Sequence, residues 1–486
     1  MRVIDGLGRP RSWAQQHPGP VAVAVVLLVY IAYLPFTDYA KLYYDSGGYW
    51  QGAKEYYVTG SFLFLSYFSQ QRGYLFSLLL APFAQLVESH GWLPLSVTRL
   101  LGAGVAAAVF GWAGPALWQA MKGGAPVPLG RRLLFAALGF LLWRDYFNFS
   151  LTDFPALLAL TIALVGLLRG RGLASGLLAG ITLAAAANLR PVYQAAMPAV
   201  LLLALLPPLG RARWWGLARA AALVLGAALV LFPQFYTNEY HMGLRSPWVV
   251  TSKPNQPSLY LKQLEWGLQM QKYETSVGGD YPIATMRFED KRGQVLFAAT
   301  GLPEFTTPAQ YLQLCLGRPW RAAGVWLRHL FNGLDVQYPT PYIQEVFTPT
   351  WALAWLNYSL IWGGLLVLLA RRWHLPTSAW VRPALVILAL LMPCAAALPT
   401  AIECRFLLPL HLVLMAAVAF GAAPLHWWRR ATRRGRSALV GSYVAVVVAG
   451  FSASASTQRH LAIIPRNILN DLPLRSLLPT PAAQPW

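Results

Sequence analysis

Apolar runs of membrane-spanning length recur along most of this chain, broken by short polar segments. A bilayer core takes about twenty apolar residues per helix, or a few fewer. Spans are expected near residues 20–36, 97–119, 132–147, 154–168, 173–188, 194–208, 220–236, 350–370, 381–398, 405–424 and 437–453, about eleven helices in all. One further apolar stretch, "RGYLFSLLLAPFAQLV" (Arg72–Val87), has the hydropathy to cross as well. The pattern predicts an all-α polytopic membrane protein. The first run, Val21–Phe36, lacks a small-residue cleavage site and reads as a retained anchor rather than a signal peptide.

Charge decides the doubtful stretch. Loops on the cytoplasmic side of a membrane carry an excess of Lys and Arg. With the N-terminus inside and Arg72–Val87 not crossing, the six inward segments hold nineteen Lys and Arg and a single acid, Asp5. Letting Arg72–Val87 cross would place "KGGAPVPLGRR" outside and invert every later loop. It is therefore expected as an interfacial or re-entrant helix on the outer face. The net charge of +21 over 486 residues then reads as a topology signal, not a nucleic-acid footprint.

The domains expected are an N-terminal membrane module, 1–236, with a first outer loop at 37–96; an extracytoplasmic domain, 237–349; C-terminal membrane helices, 350–453; and an extracytoplasmic tail, 454–486. The mid-chain domain holds ten Lys/Arg and nine Asp/Glu. Such balance suits a long translocated segment. "SLYLKQLEWGLQMQKY" within it suggests amphipathic helices packed above the membrane. Cys315, Cys394 and Cys404 make no disulfide framework.

This topology collects the unusual polar residues on the outer face. Asp45 lies in "YYDSGGYWQGAKEYYVTGSF", among seven aromatic residues. It reads either as a cap on a helix starting near Tyr49, after a Ser46-Gly47-Gly48 turn, or as a general base in a partly apolar pocket. Tyr44, Tyr49 and Trp50 beside it suit a sugar or the headgroup layer. Asp153 opens a span in "NFSLTDFPALLAL", where a helix-start role and a second functional carboxylate are both open. Asp145 and Asp153 flank the same outer loop. Arg72, Arg190 and Arg405 each stand at the outer end of an apolar segment, either snorkelling or binding phosphate in the bidentate manner of guanidinium. Glu403 pairs with Arg405 or lines the same site. No P-loop, HExxH, metal-spaced Cys/His cluster or D-x-D occurs. No metal or other cofactor is implied.

Several stretches resemble the GT-C membrane glycosyltransferases, in particular the bacterial relatives of protein O-mannosyltransferases and of the lipid A aminoarabinose transferase. "DSGGYWQGAKEYYVTGSF" is similar to that family's first outer loop, with Asp45, Tyr49, Ala53 and Gly60 at its acid, aromatic, alanine and glycine positions. "QRGYLFSLLLAPFAQL" is similar to the following juxtamembrane helix. "TRLLGAGVAAAVFGWAGPAL", "ASGLLAGITLAAAANLRPV" and "ECRFLLPLHLVL" resemble later helices. The likeness covers about residues 20–236 and 350–424. Ser46 stands where many relatives have a second acid, and Arg72 replaces a lysine common in some.

The resemblance implies transfer of a sugar from a polyprenyl-phosphate donor to a glycan, lipid or protein acceptor at the outer face. It implies Asp45 as the catalytic base, Asp153 as the second carboxylate and Arg72 as a phosphate ligand. Arg190 and Arg405 join the donor site by position. Tyr44, Tyr49, Trp50 and Glu403 are expected to line the substrate. The implied place is the plasma (inner) membrane, with lipid as the surrounding partner. An O-antigen polymerase or ligase is the nearest rival, resting on Arg245, Arg287, Arg292, Arg318, Arg321 and Arg328 of the outer domain. A lipid or sugar transporter is the non-enzymatic one, but no internal repeat supports it.

Overall fold

Each apolar run falls largely on a helix in the computed structural model, which describes residues 13–69, 71–207, 210, 212–252, 256–281, 283–370 and 380–462. Six helices there are long and apolar enough to cross a membrane: Pro18–Phe36, Pro94–Met121, Trp214–Met242, Trp351–Leu369, Cys404–Gly421 and Arg433–Gln458. Leu173–Leu189, Pro191–Leu205 and Val381–Ala397 are shorter apolar helices. Arg2, Asp5, Arg9, Arg11, Arg211, Arg371 and Arg372, all used in the charge argument, lie outside the described residues.

The bundle has a basic end and a mixed-charge end. At the basic end arginines donate to the free carbonyls that every helix C-terminus leaves. Arg131 reaches the Ala422 carbonyl at 3.1 Å and Arg219 the Leu167 carbonyl at 2.7 Å, while Arg169 reaches Gln119 Oε1 at 2.8 Å. Arg382 donates to the Pro207 carbonyl. The helix that Arg169 ends is begun by Asp153, so the acids and the remaining arginines gather at the other end.

The helices Leu173–Leu189 and Trp214–Met242 pack closely through glycines. A Cβ at Gly180 would collide with the Leu223 carbonyl, and one at Gly226 with that of Leu177. Small residues of this kind let backbones approach in the absence of a hydrophobic drive between membrane helices. The approach sets Asn188 Nδ2 2.8 Å from Gln234 Oε1. The same two side chains accept the first free N–H groups of helix Tyr74–His90: Leu75 N donates to Asn188 at 3.0 Å, and Tyr74 N to Gln234 at 3.3 Å. Two bundle helices thus cap a third from outside, and the cap holds the Arg72 segment at the junction that carries Arg190.

The mid-chain segment departs from the expected helices in one way. It is not purely helical. Met270–Ser276 pairs antiparallel with Thr285–Glu289 and parallel with Tyr342–Ile343, in a three-stranded sheet with Met270–Ser276 at the centre. The preceding helix runs on to Met242, the last one to Gln458, and Leu461 then bridges to Phe288 of the sheet. The segment sits directly on the mixed-charge end: Tyr273 N donates to the Ile402 carbonyl at 3.0 Å, and Asp145 N to that of Pro339 at 3.0 Å.

The glycine contact is testable. Gly180→Val should lower the melting temperature in detergent, since overpacking a tight contact costs about 1–3 kcal/mol. Gly104→Ala, where a Cβ meets nothing within 4 Å, should leave it unchanged or raise it. Equal melts for the two variants would show that the close approach contributes nothing.

Candidate functional site

Six charged side chains from five stretches of chain meet at the mixed-charge end. Arg405 is their hub. Its Nε bonds to Glu403, its Nη1 lies 3.5 Å from Asp153 Oδ2, and its Nη2 lies 3.9 Å from Asp45 Oδ2. Arg190 pairs with the other oxygen of Asp153. Arg72 Nη2 lies 2.8 Å from Asp45 Oδ1. All six had been singled out by position in the sequence, and the fold brings them together.

Local sequence explains each placement. Pro191 disfavours helix at the residue before it. The helix accordingly stops at Leu189, and Arg190 is extended (φ −147°, ψ 107°) and turned into the site. Asp153 is the first residue of its helix, after Thr152. The loop before Cys404 leaves Glu403 extended, and a short 3₁₀ turn, Cys404–Leu407, brings Arg405 back beside it. Arg190 and Arg405 both lie over the Phe406 ring, at 4.6 and 5.8 Å from its centroid.

The reading of Asp45 as a cap is corrected. The helix begins at Tyr44, not near Tyr49, and Gly47 and Gly48 lie inside it. Ser46 makes the capping bonds: its Oγ accepts from Tyr43 N at 3.0 Å and donates to the Tyr43 carbonyl at 2.7 Å. The Asp45 carboxylate is left free for the arginines. Gly48 allows Arg72 to lie against the helix, since a Cβ there would stand 3.0 Å from the guanidinium carbon. Tyr44 has φ of +40°, a left-handed conformation costly for an aromatic residue.

That turn is held by a residue sequence reasoning missed. Tyr342 of the mid-chain sheet is buried, its Oη accepts from Ser46 N at 3.3 Å, and its ring packs on Tyr43 and Tyr44. Tyr39 fixes it in turn by donating to the Tyr342 carbonyl at 2.7 Å. Tyr273, also missed, packs its ring edge-on against Phe406, with centroids 6.1 Å apart. Both lie more than 200 residues from Asp45, and no local signal marks either.

The expected lining residues divide. Tyr44 is exposed, and Tyr49 lies under the Arg72 guanidinium at 5.1 Å with its hydroxyl 3.4 Å from Thr152. Trp50 does not line the site. It is buried with Ala53, Leu80, Ala84 and Val87, between the helices Tyr44–Lys54 and Tyr74–His90. Asp45 and Tyr49 are four residues apart and share a helix face, whereas Trp50 is turned a further step round. Asp145 stands aside, accepting from Tyr33 at 2.9 Å and Asn148 at 2.9 Å. Among the described residues none of the six outer-domain arginines pairs with Asp45, Asp153 or Glu403; Arg245 pairs with Glu239 and Arg328 with Asp290.

Exposure is graded across the cluster. The Asp153 side chain is 3 % exposed and Arg405 13 %, while Arg72 is 27 % and Asp45 50 % exposed. The open edge is therefore the Asp45–Arg72 pair. Burial works to raise the Asp45 pKa, but Arg405 and Arg72 outweigh it and hold the carboxyl below its ordinary range. Formally the three arginines and three acids cancel.

Stability should follow that gradient. Arg405→Ala leaves two almost solvent-free carboxylates without their hub and is expected to cost about 3–5 kcal/mol, the range for breaking a buried pair. Arg72→Ala breaks a partly exposed pair and should cost about 0–1 kcal/mol. Thermal melts in one detergent check this; equal losses would contradict the hub role. Set against known family models, curated proteins and solved structures, the chain matches none.

Proposed function

We propose that this protein is an integral membrane glycosyltransferase of GT-C type. It moves a sugar from a polyprenyl-phosphate donor to an acceptor hydroxyl at the outer face, with inversion at the anomeric carbon. The observation that carries the reading is the convergence of Asp45 with three arginines at the end of the bundle opposite the basic loops. In this reading the chain crosses the plasma membrane eleven times, with its N-terminus inside, and helix Tyr74–His90 lies at the outer surface.

The chemistry asks for little more than this cluster. The acceptor oxygen attacks the anomeric carbon, the bond from that carbon to the phosphate oxygen breaks, and the hydroxyl proton passes to Asp45. Polyprenyl phosphate leaves as an anion and needs no general acid. Its phosphate gains one negative charge as the bond breaks. Guanidinium groups aimed at that developing charge are the stabilisation required.

The charge balance assigns the carboxylates different parts. Asp153 and Glu403 are buried and orient Arg190 and Arg405. Asp45 is half-exposed and, among the described residues, is the one acid paired with Arg72. As Asp45 takes the proton, it loses its charge and its hold on Arg72. Donor phosphate draws Arg72 away from Asp45 on binding, and protonation of Asp45 leaves that arginine wholly to the phosphate as its charge grows. An interaction that strengthens only in the transition state accelerates the step rather than tightening the ground state. The arrangement also removes an apparent weakness. A carboxylate held below its usual pKa is a poor base, and turning Arg72 towards donor phosphate raises that pKa before transfer.

Asp45→Asn tests the reading. The cap belongs to Ser46, so the variant should insert and melt near wild type. Loss of a general base typically lowers rate about a hundredfold to ten-thousandfold. Sugar transfer from a polyprenyl-phosphate donor in liposomes should fall by at least the lower figure, with donor binding retained. Wild-type transfer by Asp45→Asn would remove Asp45 from the chemistry.

A further inference from the structure

Helix Pro319–Leu334 carries apolar residues on both faces, with Ala322 and Val325 buried on the inner one. Its inner face includes His329 and Asn332, both fully enclosed. Its outer face presents Trp320, 88 % exposed, and Leu327, 66 % exposed. Positions seven apart share a face of a helix. Phe331 and Leu334 continue that stripe towards the C-terminal end. The helix before it, Pro308–Gly317, exposes Leu312 and Leu316, one turn apart. Exposed apolar surface on this scale marks an interaction site.

The far end of the stripe shows what that site meets. Phe331 stacks on Tyr358 with ring centroids 6.5 Å apart, and Asn357 Nδ2 donates to the Leu334 carbonyl at 2.7 Å. Leu330 and Leu334 pack with Cys394 and Leu407. Tyr358 is seven residues into helix Trp351–Ala370, about 10 Å along it at 1.5 Å per residue. The C-terminal turn of Pro319–Leu334 therefore lies beside the apolar length of a helix fit to cross a membrane. Trp320 and Leu327 extend the same surface outwards from there. Arg318 and Arg321 flank Trp320, and an aromatic ring among cations suits the boundary between acyl chains and headgroups.

We propose that the two helices from Pro308 to Leu334 lie in the membrane interface on the mixed-charge side. Their partner is the phospholipid monolayer, which takes Leu312, Leu316, Trp320 and Leu327 among its acyl chains and Arg321 at its headgroups. Trp351 and Trp355 share a helix face with Tyr358 by their spacing and are exposed, so the stripe continues onto exposed apolar surface of a helix fit to cross a membrane, which selects lipid over a second protein. The consequence reaches the site. Asp335 follows the helix directly, and Tyr342 lies eight residues beyond Leu334. A helix held at fixed depth in the monolayer holds at that depth the strand that clamps the Asp45 turn. The assignment stands whatever reaction the site performs.

Spin labels at single cysteines replacing Trp320 or Leu327 test it, in the full chain reconstituted in phosphatidylcholine–phosphatidylglycerol bilayers. The three natural cysteines are buried and stay in place, with the unsubstituted chain setting the background. Labels at Gly279 and at Leu365 of helix Trp351–Ala370 give the water and lipid references. Collisions with oxygen should exceed those with a water-soluble nickel chelate at both test positions, as at Leu365. A label at Leu316 reads the same surface from the neighbouring helix should replacement of Trp320 unfold the chain. Nickel accessibility matching Gly279 would overturn the proposal by placing the stripe in water. Shielding from both reagents would overturn it too, by placing a protein there.

Discussion

One guanidinium group organises this end of the molecule. Arg405 reaches carboxylates from three separate stretches, the helix Tyr44–Lys54, the start of helix Asp153–Arg169 and its own loop. Asp153 and Glu403 are nearly free of solvent, and two such charges require cationic partners to remain ionised there. The surrounding structure then works around that point. Glycine packing between Leu173–Leu189 and Trp214–Met242 delivers Arg190. The Asn188–Gln234 cap delivers Arg72, and Tyr342 pins the turn that bears Asp45.

The cluster is rigid on its buried side and open on the other. Asp153 and Glu403 hold their arginines in a geometry fixed by helix starts and a 3₁₀ turn. Asp45 and Arg72 face solvent and pair chiefly with each other. A phosphate arriving at that edge meets guanidinium groups already oriented, and only one ion pair must yield to it. In the proposed reaction, this division between orienting and reacting carboxylates makes proton uptake and phosphate binding complementary instead of competing demands. The roof over the site is the mid-chain segment, tied to the bundle through the Tyr273–Ile402 bond and, in the proposed arrangement, to the membrane through Trp320 and Leu327.

Much of this was legible in the chain because long apolar periodicity is a strong signal and loop charge alternates with it. The segments expected to span are helical, and arginines assigned to one side do close the helix ends at one end of the bundle. The same alternation placed Asp45, Arg72, Asp153, Arg190, Glu403 and Arg405 on one face, where the structure joins them. Other features were hidden for physical reasons. The strand "MQKYETS" is short, and its burial comes from packing on the bundle rather than from its own alternation. Tyr342 acts across nearly 300 residues of chain, beyond any local pattern. Trp50 is close to Asp45 in sequence, but its five-residue spacing turns it to another face of the helix, where it packs among apolar side chains. Ser46, the residue that departs from the resembled family, makes the capping bonds back to Tyr43, which leaves the Asp45 carboxylate to the arginines.

The central claim is that the arginines around Arg405 hold a lipid-borne phosphate beside Asp45. An electron cryomicroscopy structure of the protein in nanodiscs with a bound polyprenyl phosphate tests that claim most directly. Phosphate density should lie in contact with Arg72 and at least one of Arg190 and Arg405, with the Arg72–Asp45 ion pair opened. Phosphate bound elsewhere, with that pair intact, would contradict it.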